Sequence, residues 1–159
     1  MHWAVIDSLI GVFSVATDES GVCGANFGPV ETATAMPDDR LAAAVAQLRA
    51  YFAGELTEFT VPLSVRRGSE FERAVWGEMT KIPYGETRTY GEVAKTLGDP
   101  GAARAVGVAC NRNPIPVIVP CHRIVGAGGR LVGFGGGLPR KRQLLELEAG
   151  VALRRAWSG

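Results

Sequence analysis

Residues 89–110 read TYGEVAKTLGDPGAARAVGVAC and have the pattern of two helices joined by a tight turn. Thr89 and Glu92 pair a hydroxyl with a carboxylate three residues later, which is the capping box that begins a helix. Gly98-Asp99-Pro100-Gly101 ends this helix, and a second helix over about residues 102–110 follows it. The stretch predicts a helix-turn-helix, although many helical hairpins that bind no nucleic acid share the pattern.

The second helix of this pair carries small side chains and one long cation, Arg104. It lacks the Asn, Gln and several Arg side chains that contact base edges in the major groove. Its small residues, among them Ala103, Ala105 and Gly107, permit close approach of the backbone to DNA. We therefore predict binding in the minor groove with little sequence preference. The alternative is an Ala-rich helix buried in a core.

Charge is distributed unevenly along the 159 residues, although the formal net charge is only +1. Residues 1–65 carry 2 basic and 8 acidic side chains, a balance of −6. Residues 66–159 carry 15 basic and 8 acidic side chains, a balance of +7. A basic half favours contact with a polyanion, most commonly nucleic acid, whereas chance clustering is the alternative. We place a domain boundary here, between residues 1–65 and 66–159.

Residues 1–65 have the pattern of a small α/β domain. Three short apolar runs are separated by turn residues, which predicts antiparallel hairpins. These runs are Trp3–Ile6, Gly11–Ala16 and about Val22–Phe27. A helix over residues 38–53 follows, with Asp38 or Asp39 as its cap and Gly54 after its end. The apolar stripe predicted for this helix consists of Leu41, Val45, Leu48 and Phe52.

A short extended link and a further helix lie between this domain and the helix-turn-helix. Within residues 61–65, Pro62 excludes a central strand position. Ser69 and Glu72 then form another capping box, so a helix begins there. The buried stripe predicted for it consists of Phe71, Val75, Trp76 and Met79. Helical spacing favours a core position for Trp76 over a ligand site.

Residues 113–125 read NPIPVIVPCHRIV, an apolar segment with three prolines around one thiol and one imidazole. The prolines restrict the backbone and predict a rigid, partly dry pocket. A free thiol has a pKa of about 8.5, so a nucleophilic Cys121 requires a base, a cation or a helix amino terminus nearby. Adjacent side chains in extended chain point to opposite faces, so we predict that a helical turn, a water bridge, or both bring His122 to Cys121. Taken alone, the segment fits a buried structural cysteine equally well.

Composition excludes several classes of protein. Cys23, Cys110 and Cys121 are an odd number of widely spaced thiols, which suits a reducing compartment, and we expect the first two to be inert. With only His2 and His122 besides, we predict no metal site. No apolar run approaches the roughly 20 residues of a membrane helix. The first residues lack the pattern of a signal peptide, so we expect a cytoplasmic protein.

Five motifs, in order and at matching spacing, resemble the O6-alkylguanine-DNA alkyltransferases. They are Tyr84-Gly85-Glu86-Thr87-x-Thr89-Tyr90, Ala103-Arg104-Ala105-Val106-Gly107, Asn113-Pro114, Pro120-Cys121-His122-Arg123 and Gly135-Gly136-Gly137-Leu138. The resemblance spans about residues 66–150, and Tyr51-Phe52-Ala53-Gly54-Glu55-Leu56 is similar to bacterial members. It implies an α/β (α+β) protein in two parts. The amino-terminal part would be a ribonuclease H-like antiparallel-sheet domain, and the carboxy-terminal part a helical domain with a winged helix-turn-helix.

The resemblance also implies the catalytic roles. Cys121 would accept the alkyl group, His122 would act as a base through water, and Glu148 would orient His122. Asn113 would support the turn that bears the thiolate, and Tyr90 would donate a proton to guanine N3.

The resemblance implies DNA and substrate contacts as well. Arg104 would enter the base stack, beside DNA contacts from Ala103, Ala105, Gly107 and Tyr90. Pro116, Ile124, Phe134 and Gly135 would line the pocket. The Gly135 amide would face O6, and the carbonyls of Cys121 and Ile124 would face the exocyclic amine. Phe134 stands where some members have tyrosine.

The implied function is stoichiometric repair of O6-alkylguanine in double-stranded DNA, and less efficiently of O4-alkylthymine, without a cofactor. We expect a monomer. A relative that binds the lesion without repairing it is one alternative, but such relatives typically have tryptophan in place of Cys121. A Cys-His hydrolase is another, and it gives no reason for a basic helix-turn-helix. Arg140-Lys141-Arg142 either contacts phosphate or forms a solvated helix start.

Overall fold

The structure, a computed structural model, describes residues 1–31 and 38–158. The chain folds as two compact units. The N-terminal unit comprises Met1–Arg67 with Pro114–Pro116, and the C-terminal unit comprises Gly68–Asn113 with Val117–Gly159. Residues 32–37 of the first predicted domain, and Gly159 of the second, lie outside the described residues.

The N-terminal unit is built on a three-stranded antiparallel sheet of order β1-β2-β3. The strands are β1 His2–Ser8, β2 Gly11–Asp18 and β3 Gly21–Phe27, with a register shift between Ala16 and Thr17. Helix α1, Asp39–Phe52, packs against the sheet. The prediction of antiparallel hairpins followed by a helix is confirmed.

Helix α1 begins and ends as predicted, but part of its predicted apolar stripe is wrong. The Asp38 carboxylate caps the helix by accepting from the Leu41 amide at 2.9 Å, and Gly54 follows the end with a φ of 77°. The buried side chains are Leu41, Ala44, Leu48 and Tyr51, whereas Val45 and Phe52 are half-buried. The predicted stripe and the observed stripe both satisfy helical periodicity. The small side chain of Ala44 permits α1 to approach the sheet more closely than a larger residue would.

The extended link around Pro62 lies beside β3. The Val22 amide donates to the Pro62 carbonyl at 2.8 Å, and the Ser64 amide donates to the Val22 carbonyl at 2.7 Å. Pro62 contributes only its carbonyl, as its missing N–H requires. Gly21 must lack a side chain here, because a Cβ would collide with the Pro62 backbone.

The C-terminal unit is mostly helical. Its elements are α2 Glu70–Thr80, β4 Arg88–Thr89, α3 Tyr90–Thr96, α4 Ala103–Asn111, a 3-10 turn Cys121–Arg123, β5 Ile124–Val125, a 3-10 turn Ala127–Gly129 and α5 Leu138–Ser158. Strands β4 and β5 pair in parallel. No helix within residues 1–31 and 38–158 is long and apolar enough to cross a membrane.

Both predicted capping boxes are present. Ser69 and Glu72 cap α2 reciprocally, and Thr89 and Glu92 cap α3. Trp76 is buried and donates from Nε1 to the Ala109 carbonyl at 2.8 Å, which confirms its core position. The predicted α2 stripe is otherwise buried, except that Phe71, in the first turn, is half-buried.

Helices α3 and α4 form the predicted helix-turn-helix, and α4 is amphipathic. Its buried side chains are Val106, Ala109 and Cys110. Arg104, Ala105 and Val108 lie on the opposite, exposed face, with Val108 58% exposed. The alternative of a helix buried on all sides is therefore wrong.

Candidate active site and DNA-binding helix

Cys121 and His122 lie in a tight helical turn that follows the proline-rich segment. The Cys121 amide donates to the Val119 carbonyl at 2.8 Å, and the Arg123 amide donates to the Pro120 carbonyl at 3.0 Å. Cys121 is only 7% exposed, and His122 is fully buried. The backbone thus has the helical turn that the spacing of this dipeptide predicted.

The Glu148 carboxylate, from the middle of α5, accepts hydrogen bonds from His122, Arg123 and Gly85. Its Oε2 accepts from His122 Nε2 at 2.7 Å and from Arg123 Nη2 at 3.0 Å. Its Oε1 accepts from Arg123 Nε at 2.8 Å and from the Gly85 amide at 3.1 Å. Burial opposes ionisation, but the donors from His122 and Arg123 outweigh it and hold the Glu148 pKa well below its usual range. Glu148 is therefore a buried, ionised acceptor.

The His122 imidazole is neutral in this setting. Burial lowers its pKa, and the positive charges of Arg123 and Lys141 lower it further, against the opposing effect of Glu148. An ionised Glu148 accepts only, so Nε2 of the neutral ring carries the proton and Nδ1 is the basic nitrogen. Arg123 supplies the positive charge that balances Glu148, so His122 stays neutral at rest with Nδ1 as its basic nitrogen.

The environment of Cys121 contains opposing influences on its thiol. Burial raises the pKa of Cys121, while a hydrogen bond from the Asn113 side chain, the charge of Lys141 and the amides of Cys121 and His122 oppose this increase. Asn113 Nδ2 also donates to the Val119 carbonyl at 2.8 Å, which ties its side chain to the turn. The resting thiol is protonated, and donors that stabilise a thiolate are already in place.

Tyr90, the first residue of α3, lies with its ring against Gly107 of α4. Its hydroxyl lies 3.1 Å from the Val132 carbonyl and 3.4 Å from the Gly133 carbonyl. Burial, followed by the nearby thiols Cys110 and Cys121, raises the pKa of Tyr90 to about 12. The phenol therefore keeps its proton at neutral pH and can act as a donor.

The sequence predicted that Arg140-Lys141-Arg142 either contacts phosphate or forms a solvated helix start. For Lys141 both alternatives are wrong. Its side chain is 0% exposed, so it is neither solvated nor available to phosphate. Its Nζ donates to the carbonyls of Ile124, Val132 and Gly133. Lys141 falls on the same face of α5 as Leu144 and Glu148, and this face is buried.

The pocket residues expected from the resemblance lie in different settings. Phe134 is half-buried, with Lys141 Nζ 6.0 Å from its ring centroid, and Gly135 is exposed. Ile124 is buried, and its carbonyl, expected to face the guanine amine, accepts from Lys141 Nζ at 2.5 Å. A second lone pair on that oxygen leaves it able to accept another donor. Pro116 belongs to the N-terminal unit.

Four of the five expected DNA-contacting residues lie in the first five residues of α4, and the fifth, Tyr90, begins α3. Arg104 and Ala105 are exposed, whereas Ala103 and Gly107 are half-buried. Arg104 makes no ion pair with any described residue, so its guanidinium is available to a ligand. Its position at the start of an exposed helix face suits contact with a polyanion.

Sequence reasoning missed three residues of this site: Arg123, Lys141 and Gly85. Arg123 and Gly85 lie inside motifs that carry the resemblance, but neither was given a role. The signal for Lys141 was its spacing, because Lys141, Leu144, Glu148 and Val151 recur at helical intervals along α5. Within the described residues, no group of three or more His, Cys, Asp or Glu side chains could hold a metal ion.

Comparison with known proteins finds similarity over nearly the whole chain. Residues 1–65 match the ribonuclease-like domain of 6-O-methylguanine DNA methyltransferase, and residues 70–150 match its DNA binding domain. A methylated-DNA--protein-cysteine methyltransferase of Mycobacterium bovis is 50% identical over 153 residues, covering 93% of this chain and 92% of the relative. Another, from Methanosarcina acetivorans, is 49% identical over 154 residues, covering 93% and 98%.

A solved structure extends the likeness to the fold. The crystal structure of Mycobacterium tuberculosis OGT in complex with DNA matches with a TM-score of 0.84 at 50% identity, covering 95% of this chain and 94% of that chain. The chain therefore belongs to the 6-O-methylguanine DNA methyltransferase family.

Proposed function

We propose that this protein is a methylated-DNA--protein-cysteine methyltransferase that repairs O6-alkylguanine by transferring the alkyl group to Cys121. The observation that carries the proposal is the hydrogen-bonded arrangement around Glu148, with His122 held beside Cys121 in one turn. Family membership and the DNA complex of the Mycobacterium tuberculosis relative support DNA as the partner.

The proposed reaction begins with proton transfer from Cys121. His122 Nδ1 takes the thiol proton through a water molecule, while Glu148 holds the imidazolium that forms. Asn113 and the amides of the turn stabilise the thiolate, as does the charge of Lys141. Glu148 is a positioning residue in this scheme, since it acts through His122.

Alkyl transfer then exchanges one bond for another. The Cys121 Sγ–carbon bond forms as the O6–carbon bond breaks, and the electron pair of the broken bond passes to guanine. The Tyr90 phenol donates its proton to N3, which neutralises the leaving guanine. The proton held on His122 leaves to solvent and the Tyr90 phenolate regains one from solvent, so the charges balance and no cofactor, oxidant or reductant is consumed.

Access to the lesion requires the nucleotide to leave the base stack. An alkylated base inside a duplex is stacked, so it must be flipped into the pocket. Arg104, long and cationic, would fill the vacated space, while Ala103, Ala105 and Gly107 let α4 approach the minor groove. Phe134, Gly135 and Ile124 would line the pocket, with O4-alkylthymine a poorer substrate.

The product explains why each molecule acts once. A thioether has no carbonyl for water to attack, so ordinary hydrolysis does not regenerate the Cys121 thiol. We propose that the protein is a monomer. We also propose that it acts in the cytoplasm, because an unpaired nucleophilic thiol requires a reducing compartment. All three cysteines are free thiols.

Intact-mass measurement after mixing with methylated-guanine duplex tests the proposal. We expect a gain of one methyl group per protein molecule, located by digestion on the peptide that contains Cys121. Cys121→Ala is expected to gain no mass and to retain DNA binding. Binding of methylated duplex without any mass gain in the wild type would instead indicate a lesion-binding protein, and would reject transfer.

A further inference from the structure

The side-chain donors of Lys141 and Tyr90 lie within hydrogen-bond distance of the same two backbone carbonyls. The Tyr90 hydroxyl lies 3.1 Å from the Val132 oxygen and 3.4 Å from the Gly133 oxygen. Lys141 Nζ lies 3.1 Å and 3.3 Å from the same two atoms. A carbonyl oxygen has two lone pairs, so each can accept from both donors. Residues 132–135, here called the pocket loop, contain these carbonyls and the expected pocket residues Phe134 and Gly135.

The two donors differ in how firmly they are held. Lys141 is 0% exposed, and its third N–H donates to the Ile124 carbonyl at 2.5 Å. An ammonium group has three donors, and here all three are directed at carbonyls. No carboxylate among the described residues pairs with it. A buried cation without a counterion is costly, so Lys141 depends on these three carbonyls to satisfy its donors.

Tyr90, in contrast, has a single proton to donate. During the proposed transfer this proton goes to guanine N3, so the hydroxyl cannot also remain bonded to the pocket loop. The loop nevertheless has to stay in place at that moment, because Phe134 and Gly135 are expected to hold the base. Some other donor must therefore keep the carbonyls of Val132 and Gly133 in position.

We propose that Lys141 is a positioning residue that holds the pocket loop while the Tyr90 phenol turns from the loop to the flipped base. This inference rests on the proposed function, in which Tyr90 is the proton donor. With Lys141 present, both carbonyls keep a donor throughout the reaction. Without it, Tyr90 is the remaining side-chain donor to them among the described residues, and anchoring the loop competes with protonating guanine.

A second effect of Lys141 must be separated from this one. Its positive charge favours the Cys121 thiolate, so Lys141→Met slows transfer under either explanation. The charge effect on Cys121 does not involve Tyr90, so the losses from Lys141→Met and Tyr90→Phe would multiply. If Lys141 acts by releasing Tyr90, no proton transfer is left for Tyr90→Phe to remove once Lys141 is gone, and its further effect is limited to loss of the loop's last side-chain donor.

The test is a double-mutant cycle of Lys141→Met and Tyr90→Phe, read as single-turnover methyl transfer at saturating methylated duplex. Each single substitution is expected to slow transfer by roughly a hundredfold, as loss of a positioned general acid does. The double variant should be within about threefold of the slower single variant. Half-saturating duplex concentrations should stay unchanged, and Arg142→Met, which removes an exposed cation from the same turn, should keep the wild-type rate.

Multiplying losses in the double variant, or a wild-type rate for Lys141→Met, would overturn the role of Lys141. If Lys141→Met does not fold, Lys141→Gln takes its place, and the less-than-multiplicative loss with Tyr90→Phe is expected again. The wild type serves as the separate check on the proposed function. Failure of the wild type to methylate Cys121 rejects that function, whereas normal wild-type transfer with multiplying losses rejects only the positioning role.

Discussion

Gly85 is a residue at which the backbone conformation disfavours a side chain and the available space is tight. Its φ is 79°, and a Cβ would lie 3.1 Å from the Ala152 Cβ. Its amide is also a donor to Glu148. We expect Gly85→Ala to lower the free energy of unfolding by about 1–3 kcal/mol, through strain in the left-handed region, as measured by urea denaturation.

Gly91 provides the matched control for Gly85, because it lies in the first turn of α3 with a distant side-chain oxygen as its nearest neighbour. Gly91→Ala should leave stability unchanged or raise it by up to about 1 kcal/mol. An unfolding free energy for Gly85→Ala equal to that of the wild type would contradict the steric argument.

Glu148 links the stability of the site to pH. Despite burial, donors from His122 and Arg123 hold its pKa well below the usual range. The stability contributed by its charged form is complete above the unfolded pKa of about 4.3 and is lost as the pH falls toward the lower folded pKa. Glu148→Gln leaves Arg123 buried without this charge, at a cost of about 3–5 kcal/mol at neutral pH. The difference in the free energy of unfolding between Glu148→Gln and the wild type should narrow as the pH falls below about 4.3. Urea denaturation across an acid series measures this difference.

The comparison for Glu148 is Glu86→Gln, which removes a carboxylate from an exposed pair with Arg88. Its effect should stay within about 1 kcal/mol at every pH. A gap between wild type and Glu148→Gln that does not change with pH would show that the folded state does not favour the ionised carboxylate.

Sequence reasoning reached some site residues and not others for a physical reason. Cys121 and His122 carry chemistry that few other residue types supply, which made them candidates, whereas their roles and the choice of Glu148 came from the resemblance to a known family. Lys141 did not stand out, because lysines in a run such as Arg140-Lys141-Arg142 are ordinarily solvated. Its burial depends on carbonyls of strand β5 and of the pocket loop, which only tertiary structure brings within reach.

Among the elements, α4 offers an exposed face on which Arg104 is the one cation. If Arg104 occupies the space of the flipped nucleotide, it assists reaction with duplex and not with free O6-methylguanine. We therefore expect Arg104→Ala to slow methyl transfer from duplex by at least about tenfold while leaving reaction with the free base nearly unchanged. Parallel single-turnover rates on the two substrates provide the measurement.

Arg112, at the other end of α4, provides the control for Arg104. Its substitution shows whether the position of a positive charge matters or only its presence. It pairs with Glu72 at 2.9 Å, so Arg112→Ala removes a cation that is already engaged. Its effect on duplex repair should be smaller than that of Arg104→Ala. Equal losses on duplex and free base in Arg104→Ala would show that Arg104 has no role in flipping.

Element boundaries were predictable where local chemistry determines them. The capping boxes at Ser69 and Thr89 are satisfied within four residues, so each helix start follows from sequence alone. The buried stripe of α1 could not be predicted from sequence, because the neighbouring sheet selects between two stripes of equal periodicity. The φ of 75° at Val117 could not be predicted either, since a β-branched residue adopts this conformation only when surrounding structure imposes it.

At the scale of the whole molecule, charge counting identified the part of the chain that carries the helix-turn-helix and Cys121. The excess of +7 in residues 66–159 overstates what a polyanion meets, however. Arg123 and Lys141 belong to that count, and both are buried. Sequence gives the sign of the charge of this region, whereas the structure shows which side chains remain at the surface to attract DNA.

Methylation of Cys121 should change the stability of the whole protein. The thiol is 7% exposed in a packed site, and an added methyl group must displace its neighbours. Overpacking of this kind costs about 1–3 kcal/mol, which corresponds to a fall in Tm of roughly 2–10 °C for a chain of this size. Calorimetry of the methylated protein, after removal of DNA at high salt because bound DNA would itself stabilise the fold, measures the shift. Cys121→Ser taken through the same incubation should show no shift in Tm. An unchanged Tm in wild-type protein whose mass proves complete methylation would mean that the pocket accommodates the methyl group without strain.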